Sequence, residues 1–594
     1  MPQTLNTINR RFADAARRYA NLPALSSKKG EDWGTLTYAE VGSRVRRFAL
    51  GLQARGIQTG DRVALISENR SEWVIADLGA LAAGAVTVPL YPTLPAAQIA
   101  PLLADSGAKA VIVSDARQLK KVFASRAQTP DLKIVITMEA SAATEDAVSF
   151  ETIMREGDAV RVDELALISD AVSPSDLMSI IYTSGTTGIP KGVMLTHDNM
   201  CATLDGAREN FTQFQPPNET FLSFLPLSHI FERVLSCLAL TTGAQTYYND
   251  SIFKLMDNMV DAKPTVMVNV PRVFESMHER ILAEAAKMPE SRRRWFEWAI
   301  EVGEHTSARQ RAGKSLGPLW PVQRALADRM VLSKIRAKFG GHLKFFVSGG
   351  APLNPQTGAF FQALGMPILE GYGLTETTGP AAANRTEQIR LGTVGPAFPG
   401  CTVRLADDGE LLVQGRSIMR GYWNQPEATA EVLDSQGWFH TGDIGEIASD
   451  GSITITDRKK DLLVLANGKK VAPQPIELLL KRSPWIADIV LLGDGSSTVS
   501  ALILPDFERL KAWCKEQGKD IKDIEGDSDV RRLFKKEIDG LSSDLADFER
   551  VKRLALLPAP LTIEGGELTP TLKIRRRAVA EKYGQLLERD GSSG

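Results

Sequence analysis

Cysteine is scarce. The 594 residues carry four, Cys201, Cys237, Cys401 and Cys514, and no two form a Cys-x-x-Cys pair. This excludes a disulfide framework and a cysteine zinc site, and it fits a reducing compartment. Excess positive charge is missing too: 70 Lys and Arg face 72 Asp and Glu, for a net charge of −2. No nucleic-acid partner is expected. No GxSxG elbow is present, so a serine-hydrolase mechanism lacks its usual nucleophile turn. No repeat with a period of 20–50 residues appears. The most apolar stretch, residues 73–92 (WVIADLGALAAGAVTVPLYP), is broken by Asp77 and Gly84. A membrane span needs ~20 apolar residues. The stretch reads instead as a buried helix followed by a buried strand, Val86–Leu90. The N-terminus has no secretory apolar core. Leu5, Ile8, Phe12 and Tyr19 form a helical stripe, and Asp14 argues for an ordinary first helix over a transit peptide.

What is present is an α/β pattern. The chain is well past the ~250–300 residues at which one core stops growing, so at least two domains are expected. Between about residues 35 and 350, short β-branched runs (RVALIS, AVTVPLY, AVIVS, KIVIT, LMSIIYTS, TVMVNV, LKFFVSGG) alternate with helical segments. That predicts two helix-covered, mainly parallel sheets. Residues 275–337 read as charged helix, with Arg292–Arg294 beside Trp295 and Trp298. The reading is a solvated helix with its tryptophans packed inward rather than a membrane-surface patch. From about 400 to 456, two Asp-Gly pairs between alternating runs predict hairpins and a small β-barrel-like unit. Charge density rises at Asp457–Lys469, where a boundary is set. Domains of 1–457 and 458–594 are predicted, the second a smaller α+β unit.

One stretch cannot serve a core. Tyr182–Gly192 reads YTSGTTGIPKG. It follows a strand, at whose carboxyl end open α/β sheets bind ligands. Its glycines free backbone N–H groups to form an anion-binding nest. Thr183, Ser184, Thr186 and Thr187 add hydroxyls, and Lys191 adds charge. The combination suits phosphates. Walker A spacing fails, because Pro190 precedes Lys191 and Gly192 follows it, and no GxGxxG occurs.

This stretch resembles the phosphate loop of the adenylate-forming, AMP-binding superfamily, which holds acyl-CoA synthetases, luciferases and nonribosomal adenylation domains. Further segments resemble that family's motifs in order. They are FLPLSHIFE (Phe224–Glu232), FFVSGGAPL (Phe345–Leu353), EGYGLTET (Glu370–Thr377), GWFHTGD (Gly437–Asp443), DRKKDLLVLANGK (Asp457–Lys469) and LTPTLKIRRR (Leu568–Arg577). LYPTLPAAQI, PLSHIFERV, VPRVFE and LTPTLK are most similar to the long-chain fatty acyl-CoA synthetase branch. The likeness runs from about residue 10 to 580.

The resemblance implies a two-step ligase. A fatty carboxylate first attacks the ATP α-phosphate, giving acyl-AMP and pyrophosphate; the coenzyme A thiol then takes the acyl group. The nucleotide would be held by Thr183, Ser184, Gly185, Thr186, Thr187 and Gly188, by Gly349, Gly350, Ala351 and Pro352 as one adenine wall, and by Gly371, Tyr372, Gly373 and Thr375. Asp443 and Arg458 would hold the ribose. Glu376 would hold Mg²⁺, with Thr183 as second contact, since this hard cation takes few protein carboxylates. Lys191 and Lys573 would offset the meeting of two anions, Lys573 as the key lysine of the first step. His229 would border the carboxylate as a gate; the adjacent Ser228 makes no triad with it. Lys460 would be the hinge about which the second domain turns, bringing Asn467, Gly468 and Lys469 beside coenzyme A. Many relatives carry a lysine where Val464 stands, so a phosphate contact from that position is not carried over.

Fatty acid, ATP and coenzyme A are thus the expected partners, in the cytoplasm or peripherally at the inner face of a membrane. Alternative acceptors would make the chain a fatty acyl-AMP or acyl-carrier-protein ligase. A reading from another class is a membrane-associated fatty-acid uptake protein.

Overall fold

The computed structural model describes residues 6–159, 171–183, 190–249, 251–518, 527–562, 565–569 and 574–588. The chain divides into two compact units. One comprises Met1–Arg404, Leu412–His440 and Ile447–Thr454; the other comprises Leu405–Leu411, Thr441–Glu446 and Ile455–Gly594.

The first unit contains two eight-stranded sheets. One runs in the order Gly379–Ala383, Ile368–Leu374, Phe345–Ser348, Val266–Asn269, Thr220–Ser223, Gln245–Tyr248, Pro23–Lys29, Asp32–Thr37. Only its edge pairings are antiparallel. The other runs Gly421–Tyr422, Lys191–Thr196, Leu177–Thr183, Val86–Leu90, Arg62–Ile66, Ala108–Val113, Ile134–Thr137, Val148–Ser149. Its interior is parallel, and Lys191–Thr196 pairs antiparallel on both sides.

Strand periodicity assigns neighbouring residues to different cores, because successive side chains point to opposite faces. Val63, Leu65, Ile112, Phe221, Val266 and Phe345 share one core with helices Ile8–Arg18, Tyr38–Ala54, Ser71–Ala82 and Ile230–Thr242. Ala64, Ile66, Val111 and Val113 face helices Ala96–Ser106 and Ala116–Ala124. Met267 and Phe346 face Phe274 and Phe361. Being covered on both faces is why these strands read as unbroken apolar runs.

The stretch 73–92 folds as expected, with helix Ser71–Ala82 and strand Val86–Leu90 separated by Gly84 at φ +78°. Asp77, the residue that interrupts it, is buried and paired with Arg233 at 2.6 Å. The predicted helical region holds helices Pro271–Ala286, Glu290–Arg311 and Leu319–Ala327, then a π-turn Asp328–Leu332 and helix Ser333–Ala337. Its tryptophans divide rather than all packing inward: Trp298 packs on the core, and Trp295 stands half exposed against its edge. Both Asp-Gly pairs form turns. Gly409 N donates to Ala406 O (3.0 Å) and Gly451 N to Ala448 O (2.9 Å), with φ of +85° and +82°. Strands Cys401–Leu405 and Glu410–Gly415 flank the first turn; Phe439–Ile447 and Ile453–Arg458 flank the second.

The second unit is built on a three-stranded sheet, Ile486–Leu492, Val499–Pro505 and Val551–Leu556. Ile489, Leu491, Ala501 and Ile503 pack on Phe534 and Ile538, while Val490, Leu502 and Leu504 pack on Val579. Arg576 pairs with Glu477 inside it at 2.5 Å.

Candidate active site

The strand Leu177–Thr183 is parallel to Val86–Leu90 and antiparallel to Lys191–Thr196. The phosphate-loop segment therefore joins two antiparallel strands, whereas a Walker A loop feeds a helix. Thr183 and Lys191 face each other in register across its mouth. Ser184, Gly185, Thr186, Thr187 and Gly188 lie outside the described residues.

Glu376 sits on a tightly determined turn after strand Ile368–Leu374. Thr377 and Thr378 are fully buried. The Thr377 hydroxyl accepts from Leu374 N (2.9 Å) and donates to Gly379 O (2.5 Å). Thr378 lies at φ +54°, an uncommon backbone for a residue with a Cβ, and its hydroxyl donates to Ser417 O (2.6 Å). A Cβ on Gly373 would fall 1.9 Å from Gly379 O, so glycine is required there by the chain's own return. Thr375 is buried, and its carbonyl accepts from Thr378 N (3.0 Å). Gly373 and Thr375 thus build the turn that holds Glu376.

Tyr422, which sequence reasoning missed, joins these groups. The short strand Gly421–Tyr422 pairs with Val193 and Met194 beside the loop. The Tyr422 hydroxyl donates to Glu376 Oε1 (2.9 Å), and the Lys191 Nζ lies 4.8 Å above the Tyr422 ring. Burial and the adjacent carboxylate raise the phenol pKa, so Tyr422 keeps its proton and remains a donor. A carboxylate, a cation and a threonine are gathered at one loop mouth. A two-residue strand has too little periodicity to signal this, though the neighbouring aromatics in RGYWN are a weak pointer.

The adenine-wall segment follows strand Phe345–Ser348. Gly350, at φ +86°, Ala351 and Pro352 are exposed, while Gly349 is buried. A Cβ on Gly349 would lie 3.3 Å from the Phe231 ring. Beneath the segment, the buried Glu370 accepts weakly from Leu353 N (3.4 Å) and Gly392 N (3.3 Å). Burial pushes its carboxyl up to about 7. Gly371 and Tyr372 continue the same strand, opposite Ala383 and Ala382.

His229 caps helix Ile230–Thr242, its Nδ1 accepting from Phe231 N (3.2 Å). That places the neutral ring's proton on Nε2. Asn69 anchors the preceding segment: its Nδ2 donates to Ser223 Oγ (3.0 Å) and Leu225 O (2.7 Å), and its Oδ1 accepts from Leu227 N (2.9 Å). Glu232 is wholly buried, and burial pushes its carboxyl up to about 8. Arg233 donates to Ser179 Oγ (2.6 Å), Asp77 Oδ1 (2.6 Å) and Thr87 Oγ1 (2.7 Å). Ser179 lies four residues before Thr183 on the strand that feeds the loop.

The second unit carries the other candidates. Asp443 is nearly buried and paired with the half-exposed Arg458 at 2.9 Å. Asp443 N donates to Thr441 Oγ1 (3.0 Å). Lys459 binds Asp408 (2.6 Å) and Glu410 (3.1 Å). Lys460 stands exposed in the turn after strand Ile453–Arg458, closed by Asp461 N to Arg458 O (2.9 Å). On its other side the buried Asp457 accepts from Arg458 N (2.6 Å) and Gln474 N (3.4 Å), and burial pushes it up to about 6. Asn467, Gly468 and Lys469 form the exposed turn between strands Leu463–Val464 and Lys470–Val471. Gly468 has φ +79°, and the Lys469 Nζ rests 4.4 Å over Phe548. Lys573 lies outside the described residues.

Residues 12–423 match the AMP-binding enzyme family, and residues 460–589 match the AMP-binding enzyme C-terminal domain. The long-chain-fatty-acid–CoA ligase FadD15 of Mycobacterium bovis is 37% identical over 561 residues, covering 94% of this chain and 92% of that protein. The peroxisomal long chain acyl-CoA synthetase 7 of Arabidopsis thaliana is 31% identical over 608 residues, covering 96% and 84%. Among solved structures, the adenylation domain of a Mycobacterium chelonae carboxylate reductase superposes with a TM-score of 0.78 at 22% identity, covering 100% and 92%. With two matching domains in sequence and relatives aligned nearly end to end, this chain belongs to the AMP-binding, adenylate-forming enzyme family, in its long-chain acyl-CoA synthetase branch.

Proposed function

We propose that the protein activates long-chain fatty acids to acyl-CoA through acyl-AMP, releasing AMP and pyrophosphate. The observation that carries the adenylation step is the cluster of Glu376, Tyr422 and Lys191 at the mouth of the phosphate-loop segment; the long-chain acyl-CoA product is supported by the ligase relatives aligned over most of the chain. Phosphoryl-type transfer needs positioning and charge more than a protein nucleophile. Lys191 supplies positive charge at the loop, and Thr183 opposite it supplies a hydroxyl. His229 presents a donor from Nε2 at the head of its helix, suited to orienting a carboxylate. The exposed, side-chain-poor Gly350–Pro352 run suits the flat face of a base. Asp443 and Arg458 suit a ribose, whose hydroxyls would join their ion pair. Lys573 would stand where carboxylate and α-phosphate meet.

Mg²⁺ fits this donor set. No group of three or more acidic, His or Cys side chains that would hold a metal occurs among the described residues. A single carboxylate, Glu376, beside a phosphate site is what a cation held mainly by substrate oxygens and water requires. When bound, the ion would neutralise charge on the phosphates.

Residues 1–457 would hold ATP and the acyl substrate, and residues 458–594 would supply Lys573 to the adenylation step. Residues 458–594 would swing about Lys460 and bring Asn467–Lys469 to coenzyme A, Lys469 and Phe548 moving together. No described helix is long and apolar enough to cross a membrane. The enzyme would work in the cytoplasm and meet its substrate peripherally at the inner face of a membrane.

Incubation with ATP, Mg²⁺, a long-chain fatty acid and coenzyme A tests the proposal. AMP, pyrophosphate and acyl-CoA are the expected products. ADP and orthophosphate would overturn it. Acyl-AMP that persists with coenzyme A present would favour the acyl-AMP or carrier-protein ligase.

A further inference from the structure

We infer that helix Leu319–Ala327 is a docking face for an anionic phospholipid surface. The inference rests on the peripheral-membrane reading above and gives that contact a place.

The helix is turned against the usual rule. Leu319, Val322 and Leu326 are 72%, 68% and 45% exposed. Their i, i+3, i+7 spacing sets them on one stripe. The residues facing the protein are the ones with polar handles: Trp320 stacks on His305 with ring centroids 3.5 Å apart, and Arg324 donates to Ala363 O (2.7 Å). Only Ala327 is fully buried along the helix. A solvated helix shows the reverse distribution. Pro321 and Ala325, also exposed, add no polar group to the outer side.

Charge selects the occupant. Residues 287–338 hold twelve Lys and Arg against five Asp and Glu, a net +7 in a chain whose total is −2. The exposed Lys314 and Arg329 bracket the apolar stripe. Arg293 and Arg294 are paired along their own helix with Glu297 and Glu290, so much of that cluster's charge is answered locally. The outward contact belongs to the following helix, not to the arginine–tryptophan run that stands out in the sequence. Arg336 and Lys338 are also answered, by Asp328 and Glu284, so the charge on the stripe's flanks is that of Lys314 and Arg329, and like charges there disfavour a second copy of the same face. An anionic bilayer offers both hydrocarbon for the stripe and negative charge for its flanks.

Co-sedimentation of the full chain with phosphatidylcholine vesicles, with and without phosphatidylserine, tests this. The wild type should bind the phosphatidylserine vesicles and release as salt rises. The exposed pair L319S/V322S should weaken that binding about tenfold or more. K314E/R329E should lower binding by a similar factor and erase the lipid preference. Ligation of a short, monomeric fatty acid without vesicles should stay at the wild-type rate in every variant. That arm reports the ligase reading separately, and its loss in the wild type would sink the reading rather than the face. Wild-type-like vesicle binding by L319S/V322S, or no binding by the wild type, would overturn the inference. So would a wild-type dimer, seen by analytical ultracentrifugation, that L319S/V322S dissociates.

Discussion

Removing one oxygen from Tyr422 isolates the hydroxyl that holds Glu376. Tyr422→Phe deletes the 2.9 Å donor and keeps the ring beneath Lys191. Tyr422 is only 6% exposed, so water replaces the lost donor poorly. A hydrogen bond to a charged group contributes about 1.5–3 kcal/mol. If all of it is felt when the phosphates are engaged, the adenylation rate falls by about 10- to 150-fold. The assay is fatty-acid-dependent exchange of labelled pyrophosphate into ATP over a series of Mg²⁺ concentrations. The variant should need more Mg²⁺ for half its maximal rate, because the carboxylate loses a fixed orientation. Tyr422→Leu removes the ring as well and forfeits the cation–π contact, about 0.5–2 kcal/mol. It should therefore be slower than Tyr422→Phe. A Phe variant that exchanges at the wild-type rate with unchanged Mg²⁺ dependence would refute the reasoning. A Leu variant no worse than the Phe variant would show that Lys191 needs no aromatic platform.

Four further outcomes are expected. Arg233→Met leaves Asp77 buried without its partner and should cost about 3–5 kcal/mol in urea unfolding, whereas Arg233→Met with Asp77→Leu should recover most of the loss. Equal losses in both variants would mean the pair is not the unit of stability. The buried Glu232, raised to about 8, stays protonated when folded but ionises above its ordinary value once unfolded. Native stability should thus decline between about pH 4.5 and 8 by a few kcal/mol. Glu232→Gln should flatten that decline in denaturant titrations; a parallel pH curve would count against it. Lys573→Ala should block adenylate formation far more than thioester formation from supplied acyl-AMP, and an equal fall in both half-reactions would reassign the lysine. Lys460→Pro fixes φ near −65° and removes an N–H, so pyrophosphate exchange should partly survive while acyl-CoA yield fails. Near wild-type rates for both would place the pivot elsewhere.

The two-sheet α/β framework was legible because each parallel strand is buried on both faces and reads as a short apolar run between helices. The Asp-Gly turns near residues 409 and 451 were legible because positive φ at a tight turn favours glycine. Gly349 and Glu376 were reached through motif resemblance, and their local reasons appear only in space. Gly349 lies under Phe231, and Glu376 rides on a turn locked by Thr377 and Thr378. Tyr422 and Asn69 were not reached, since each acts across more than 40 residues of intervening chain and lies outside the quoted segments. Trp295 and Trp298, three residues apart, read as one inward stripe because a tryptophan near a helical stripe is usually core. The helix packs a partly buried Trp298 on the core and leaves Trp295 at the edge.

Asp77 shows how a sequence irregularity becomes intelligible. In an apolar run it reads only as a reason against a membrane span. In the fold it receives Arg233, whose other hydrogens reach Thr87 and Ser179 on two neighbouring strands of one sheet. Burying such a pair contributes little net stability, so its use must lie in what it positions. Arg233 is two residues from Phe231, and at 3.6 residues per turn those side chains leave the helix on nearly opposite sides. Phe231 lies against Gly349, beyond the last strand residue of the other sheet. His229 caps the same turn. One helical turn is thus tied at once to the strand Leu177–Thr183, to the segment after Phe345–Ser348 and to His229, the residue proposed to face the carboxylate. A shift of that turn moves all three together. This is a physical reason for placing a charged residue where an apolar one would pack more cheaply.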